Sequence, residues 1–284
     1  MDLPGIAEVV DGRSAAWREG DAWLAGGTWL FSEPQPELSR LLDLRAFDWP
    51  ALQVRQDGLE IAATCTLAEL ARLPVPQWRA GPLIGQCCAA LLGSFKVWNA
   101  ATVGGNLCLA LPAGPMISLS SALDGICTIW GHGGQERQVP VTEFVTSAGR
   151  SVLGPGELLR SVFLPASALA CATAFRQLSL SPFGRSSAVV IGRRSLADES
   201  VVVTVTAATA RPVQLRFAGL PSPDEMLAAI TAAEPCYNDD VYGLASWREA
   251  IASELALDVL AELTAPAGPT APAGLTPPAG PATS

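Results

Sequence analysis

Apolar and polar positions along this chain alternate in short, strand-sized bursts, and the longer helical patterns fall toward its end. The sequence Ala22-Trp23-Leu24-Ala25 reads as a strand running into Gly26-Gly27-Thr28, a sharp turn. A helix starting near Thr28 would be cut short by Pro34 and Pro36. Residues 41–44 (LLDL) and 59–63 (LEIAA) are further strands. Thr66 with Glu69 three residues on forms a capping box, which starts a helix. Another helix is expected from Gly81 to Leu92, ahead of the glycine-rich stretch at residues 99–107 (NAATVGGNL). Strands at 125–130 and 138–141 bracket the turn Gly131-His132-Gly133-Gly134, and 157–165 (ELLRSVFLP) is a strand. Residues 189–193 and 201–209 are β-rich and separated by the polar Asp198-Glu199-Ser200. Helices follow at 223–233 and 240–263. Strands first and helices afterwards make an α+β pattern without regular βαβ alternation. The last 20 residues, 265–284, are almost wholly Pro, Ala, Gly, Thr and Ser, so they are expected to form a disordered tail.

Composition narrows the function. Hydrophobic residues make up 49% and charged residues 16% of the 284. That balance fits either a large core or a surface covered by partner subunits. No stretch approaches the roughly 20 apolar residues of a membrane span. The net charge of −9, with no basic cluster beyond Arg193-Arg194, argues against nucleic acid. The first residues lack a signal-peptide layout. Seven cysteines form no CxxC pair, so neither zinc nor an iron–sulfur cluster is signalled in this chain. A reduced, cytoplasmic protein is expected. The single histidine, His132, lies in a glycine-rich turn, which leaves no triad and no histidine metal site. Neither GxGxxG nor GxxxxGK[ST] is present.

Two glycine pairs remain as candidate chemistry, one in Ala25-Gly26-Gly27-Thr28 and one in Thr102-Val103-Gly104-Gly105-Asn106. Paired glycines permit positive φ and close backbone approach, and successive N–H groups in such a turn suit a pyrophosphate. Thr28, Thr102 and Asn106 can add side-chain hydrogen bonds. The plainer reading of each pair, a tight turn, stays open on spacing alone.

These residues, in their order, resemble a known family. The segments LAGGT (24–28), LLDL (41–44), IAAT (61–64), TLAEL (66–70) and ATVGGNLC (101–108) are similar to the FAD-binding subunit of the xanthine dehydrogenase and carbon monoxide dehydrogenase family. The likeness continues through SSALD (120–124), ELLRSVFLP, ARPV (210–213), DDV (239–241) and SWR (246–248), covering roughly residues 5 to 263. It implies a two-part FAD domain of the vanillyl-alcohol-oxidase (PCMH) type over residues 1–168, and a smaller C-terminal α+β domain over 169–264. By the same resemblance, Ala25, Gly26, Gly27, Thr28, Trp29 and Leu30 would wrap the FAD pyrophosphate and ribityl chain from one side. Thr102, Gly104, Gly105 and Asn106 would do so from the other. Leu92 and Leu159 match positions packed near the flavin or adenine, Arg176 a position near the flavin, and Arg185 one where the family places an apolar or aromatic residue close to the ring. No catalytic or metal-binding residue is implied in this chain.

Departures from the family's pattern bear on affinity. The loop after Asn106 usually carries T-x-S-P-x-x-D; here residues 109–115 read LALPAGP, so its hydroxyls and carboxylate are gone. Trp29 replaces a common Asp or Asn. Each lost charge-assisted contact would cost roughly 1.5–3 kcal/mol of FAD binding. The resemblance implies an electron-transfer subunit that receives electrons from [2Fe–2S] clusters on a small partner. A large partner with a molybdenum cofactor would oxidise the organic substrate. The assembly would be a hetero-oligomer, such as a dimer of heterotrimers, delivering electrons to NAD, oxygen or a quinone. Two alternatives stand beside it: a flavin-free scaffold, and a stand-alone flavin oxidase, for which no catalytic base is in view.

Overall fold

A computed structural model describes residues 5–233 and 236–265. The tail expected over 265–284 lies, beyond Ala265, outside the described residues. The chain begins with a three-stranded parallel sheet of β1 (Glu8–Asp11), β2 (Asp21–Leu24) and β3 (Arg40–Asp43), in the order β1-β3-β2. Leu41 and Leu42 anchor it in the interior. The Arg40 guanidinium grips the buried Asp21 carboxylate with two bonds, Nε–Oδ1 2.8 Å and a second terminal N–Oδ2 contact of 2.6 Å. The chain leaves the carboxyl end of β2 directly into Ala25. No helix forms after Thr28; residues 28–32 are turns.

Next come β4 (Leu52–Val54) and β5 (Gly58–Ala62), then five helices. These are α1 (Leu67–Ala71), α2 (Gly81–Ala89), α3 (Phe95–Trp98), α4 (Val103–Leu109) and α5 (Pro115–Ala122). The capping box of Thr66 and Glu69 opens α1. α2 stops at Ala89, short of the expected Leu92. β6 (Ile126–Trp130), β7 (Glu136–Pro140), α6 (Val141–Phe144), the small ribbon β8 (Val145–Ser147) and β9 (Arg150–Ser151), and β10 (Leu158–Pro165) complete this part. Five strands make an antiparallel sheet, β4-β5-β10-β6-β7, with β10 at its centre. Leu59, Ile61, Cys127, Ile129, Val162 and Leu164 pack with Leu67, Leu83, Leu107 and Leu119 into one core. α5 gave no signal in the sequence because all eight of its residues are buried, Ser118, Ser120 and Ser121 included, so no solvent-facing polar side sets up a 3.6-residue stripe.

After α7 (Ala166–Leu169), the strands β11 (Ala172–Leu178), β12 (Ala188–Arg194), β13 (Val201–Thr206) and β14 (Val213–Phe217) form an antiparallel meander. α8 (Pro223–Ala232) and α9 (Ala245–Thr264) follow, the latter starting five residues later than the pattern predicts. This sheet is buried on both faces. Val189 and Ile191 join the first core, while Ala188 and Val190 join a second core with Ala252, Ala256 and Val259 of α9. The face turned to α5 also carries polar contacts. Ser118 and Thr206 share a 2.7 Å hydrogen bond, and Asp124 accepts from Arg193, Arg216 and Gln214. Here the paired arginines flagged in the sequence are structural: Arg193 binds Asp124, and Arg194 binds Glu199.

Candidate functional site

A cleft of about 610 Å³ opens between the loop after β2, the segment between α2 and α4, the 109–115 stretch, and the β11–β12 connection. That volume lies in the range of small-molecule sites, about 300–1,000 Å³. Eleven of the fourteen residues singled out in the sequence line it: Ala25, Gly26, Gly27, Thr28, Trp29, Leu30, Leu92, Thr102, Gly105, Asn106 and Arg185.

The other three lie elsewhere. Leu159 is 2% exposed and sits in the first core on the central strand β10. Arg176 projects from β11 to α9, where it pairs with Glu262. Gly104 is buried, and a Cβ on it would come 2.4 Å from the Ala63 Cβ; it is the point where α4 presses on the end of β5.

The two glycine pairs have different geometries. Gly27 has a φ of 69°, in the left-handed region. A Cβ on Gly26 would lie 1.7 Å from the Ala100 carbonyl oxygen, so only glycine lets this loop touch the segment before α4. The loop closes through Phe31 N–H to the Gly27 carbonyl (2.9 Å) and Ser32 N–H to the Trp29 carbonyl (2.8 Å). Among the described residues, no protein acceptor takes the backbone N–H groups of residues 26–30.

Gly104 and Gly105, by contrast, are in α4, and the expected positive-φ turn is not there. Thr102 is the N-cap, its Oγ1 accepting from Gly105 N–H at 3.0 Å. Val103 N–H donates to the Cys65 carbonyl (2.8 Å) and Gly104 N–H to the Ala63 carbonyl (3.0 Å). The N–H groups that would have formed a nest are thus committed to the protein. Gly105 is exposed, and a Cβ on it would meet only Thr102 Oγ1, at 3.0 Å. Its open side faces the cleft, which a larger side chain would enter. Asn106 Oδ1 accepts from Met116 N–H (2.9 Å), tying α4 to the start of α5.

Sequence reasoning missed Trp23, Gln35, Leu91, Val97 and Cys108, which also line the cleft. The Trp98 indole N–H donates to the Leu91 carbonyl (3.2 Å) and holds that wall; no local signal marks these residues because tertiary contacts bring them in. Burial pushes the Cys108 thiol up to about 12, so it is a neutral, inert wall group near neutral pH. All seven cysteines are free. Among the described residues, no three His, Cys, Asp or Glu side chains gather as a metal site, and no helix is long and apolar enough to cross a membrane. Leu109, Leu111, Ala113 and Pro115 make one wall apolar. The only charged residue in the lining is Arg185, whose guanidinium lies 5.5 Å from the Trp29 ring centroid and 5.3 Å from that of Tyr242.

Comparison with known proteins places the chain in a family and a fold. Residues 6–167 match the family model described as the FAD binding domain in molybdopterin dehydrogenase. Xanthine dehydrogenases 1 and 2 of Arabidopsis thaliana are each 30% identical over 122 residues, 40% of this chain but 9% of the relatives' length. The matched segment is therefore a small part of those proteins. Among solved structures, a chain of carbon monoxide dehydrogenase from Hydrogenophaga pseudoflava superposes with a TM-score of 0.78 at 20% identity, covering 93% of this chain and 100% of that one. A chain of quinoline 2-oxidoreductase from Pseudomonas putida 86 gives 0.75 at 18% identity, covering 93% and 98%. These likenesses establish the shared α+β fold. The match over residues 6–167, more than half of the chain, shows that the chain belongs to the family of FAD-binding domains of molybdopterin dehydrogenases.

Proposed function

We propose that this chain holds FAD in the cleft and acts as the electron-transferring subunit of a molybdenum hydroxylase-type oxidoreductase. The observation that carries the reading is the row of N–H groups at residues 26–30, which no acceptor among the described residues takes, in a loop that lines a cleft of cofactor size. Such a row is an oxyanion-binding surface. Ala25 through Leu30 would hold the pyrophosphate and ribityl chain from one side, with Thr102, Gly105 and Asn106 opposite. Gly104 would act from behind by seating α4. Leu92 and Arg185 would contact the ligand at the rim, whereas Leu159 and Arg176 support the site through the core and α9. The division into residues 1–168 and 169–264 follows the same reading. FAD, when bound, supplies one- or two-electron exchange, and the protein supplies position and electrostatics.

Electrons would arrive from [2Fe–2S] clusters on a small partner, with substrate oxidation on a large molybdenum-cofactor partner, in a cytoplasmic hetero-oligomer. The pure chain should therefore turn over no aldehyde, purine or other heterocycle, and co-purification should bring down those two partners. Gly105→Val is the direct test of the cleft. Its side chain would enter the cleft while leaving the α4 backbone in an allowed conformation, so flavin content should vanish, with the melting temperature close to that of the flavin-free wild type. Full flavin in this variant would sink the assignment. A flavin-free scaffold is the second reading, favoured by the apolar wall at residues 109–115. A colourless complex as isolated, without flavin absorption, would decide for it.

A further inference from the structure

Arg185 is exposed at the β11–β12 connection, in the lining of the cleft. No carboxylate lines the cleft, and among the described residues Arg185 makes no ion pair and no hydrogen bond. Its contacts are the ring faces of Trp29 and Tyr242. These faces hold a guanidinium while leaving its five N–H donors unbonded.

The position is built rather than incidental. The next two residues, Ser186 and Ser187, are buried. The Ser187 hydroxyl donates to the Tyr242 carbonyl at 2.6 Å. Beneath them lies Arg248, 2% exposed, which donates to the carbonyls of Ser187 (2.9 Å), Ala207 (2.7 Å) and Gly243 (3.1 Å) and to the Asp240 carboxylate (2.5 Å). One buried cation therefore ties together the two loops that carry Arg185 and Tyr242. Trp29, on the other side, belongs to the loop whose N–H groups at residues 26–30 find no acceptor among the described residues. A planar fork of donors stacked on Trp29, in a cleft that residues 26–30 also line, suits one class of ligand, an oxyanion pair. The wall at 109–115 adds no polar side chain.

We infer that Arg185 is the recognition residue for the diphosphate of the ligand in this cleft, pre-positioned by the Trp29–Tyr242 stack and by Arg248. The inference rests on the reading of the cleft as a dinucleotide site. It differs from the resemblance, which implies a contact with the ring.

The test is calorimetric titration of the full chain, freed of flavin, with FAD, ADP and riboflavin. Arg185→Met keeps side-chain length without charge, and Arg185→Lys keeps charge without the fork. Arg185→Met should weaken FAD and ADP by roughly 10- to 100-fold and leave riboflavin within about two-fold, with Arg185→Lys in between. The loss should shrink as salt rises, because the contact is exposed. Unchanged FAD and ADP binding in Arg185→Met would overturn the assignment while leaving the flavin reading intact. An equal loss for riboflavin and ADP would overturn it too, in favour of a ring contact or a structural role. If the wild type binds ADP through Arg185 but does not bind FAD, the flavin reading falls and Arg185 keeps its role. Binding of none of the three would remove both.

Discussion

The same dipeptide, Gly-Gly, occurs on two sides of one cleft and solves a different problem on each. At Gly26-Gly27 the chain leaves a strand, and the missing side chains let backbone meet backbone: a Cβ on Gly26 would come within 1.7 Å of the Ala100 oxygen. At Gly104-Gly105 the chain is already helical; Gly104 seats α4 on Ala63, and only Gly105 is turned outward. Hydrogen bonding divides the two further. Among the described residues the N–H groups of 26–30 in the first loop find no acceptor, while α4 spends its leading N–H groups on Cys65, Ala63 and Thr102. A motif read as a pair of equivalent phosphate cradles is thus one free donor row facing one capped, braced helix. Donor capacity depends on where the neighbours' acceptors lie, which the dipeptide does not encode.

Substitutions should separate these roles. Gly26→Ala is expected to cost most, about 3 kcal/mol, because the clash is with backbone that cannot swing away; urea denaturation would measure it. A loss under about 0.5 kcal/mol would mean that the loops are not in contact. Gly104→Ala should cost about 2 kcal/mol through the clash with Ala63. The double variant with Ala63→Gly should recover part of that loss, a coupling that a double-mutant cycle reads directly.

Acid should also tell the two sides apart, with a smaller effect. The first loop grows from β2, whose Asp21 is held below the usual carboxylate range chiefly by the hydrogen-bonded Arg40 guanidinium. A carboxyl with a lowered folded-state value contributes its stability in full above the unfolded value, about 3.9, and loses it as pH falls through the folded value. Amide exchange in β2 and β3 should therefore quicken as pH drops below about 4, after correction for intrinsic exchange. The bonds bracing α4, made by carbonyls and a hydroxyl, do not titrate. Equal loosening on both sides would remove the distinction.

Much of the fold was legible because local chemistry and burial agree. The capping boxes of Thr66 with Glu69 and Ser222 with Glu225 are written in adjacent residues, and both close as hydrogen-bonded rings. The β-rich runs of β12 and β13 are continuous because their sheet is buried on both faces. Where burial erased periodicity, as in α5, or where a short edge strand such as β1 (EVVD) has no alternation, the pattern is silent.

The sequence by itself determined the class of elements, the two glycine pairs and the family they point to, since backbone conformation and close approach are limited by residue type. Only the tertiary structure decided which donors stay free, that Arg176 turns to α9 while Arg185 turns to the cleft, and that Arg248 binds the rim together. Each of these is a choice among partners distant in sequence. A hydrogen-bonding group satisfied by one neighbour is lost to a ligand, and which neighbour arrives is settled by packing, whose contacts no local pattern records.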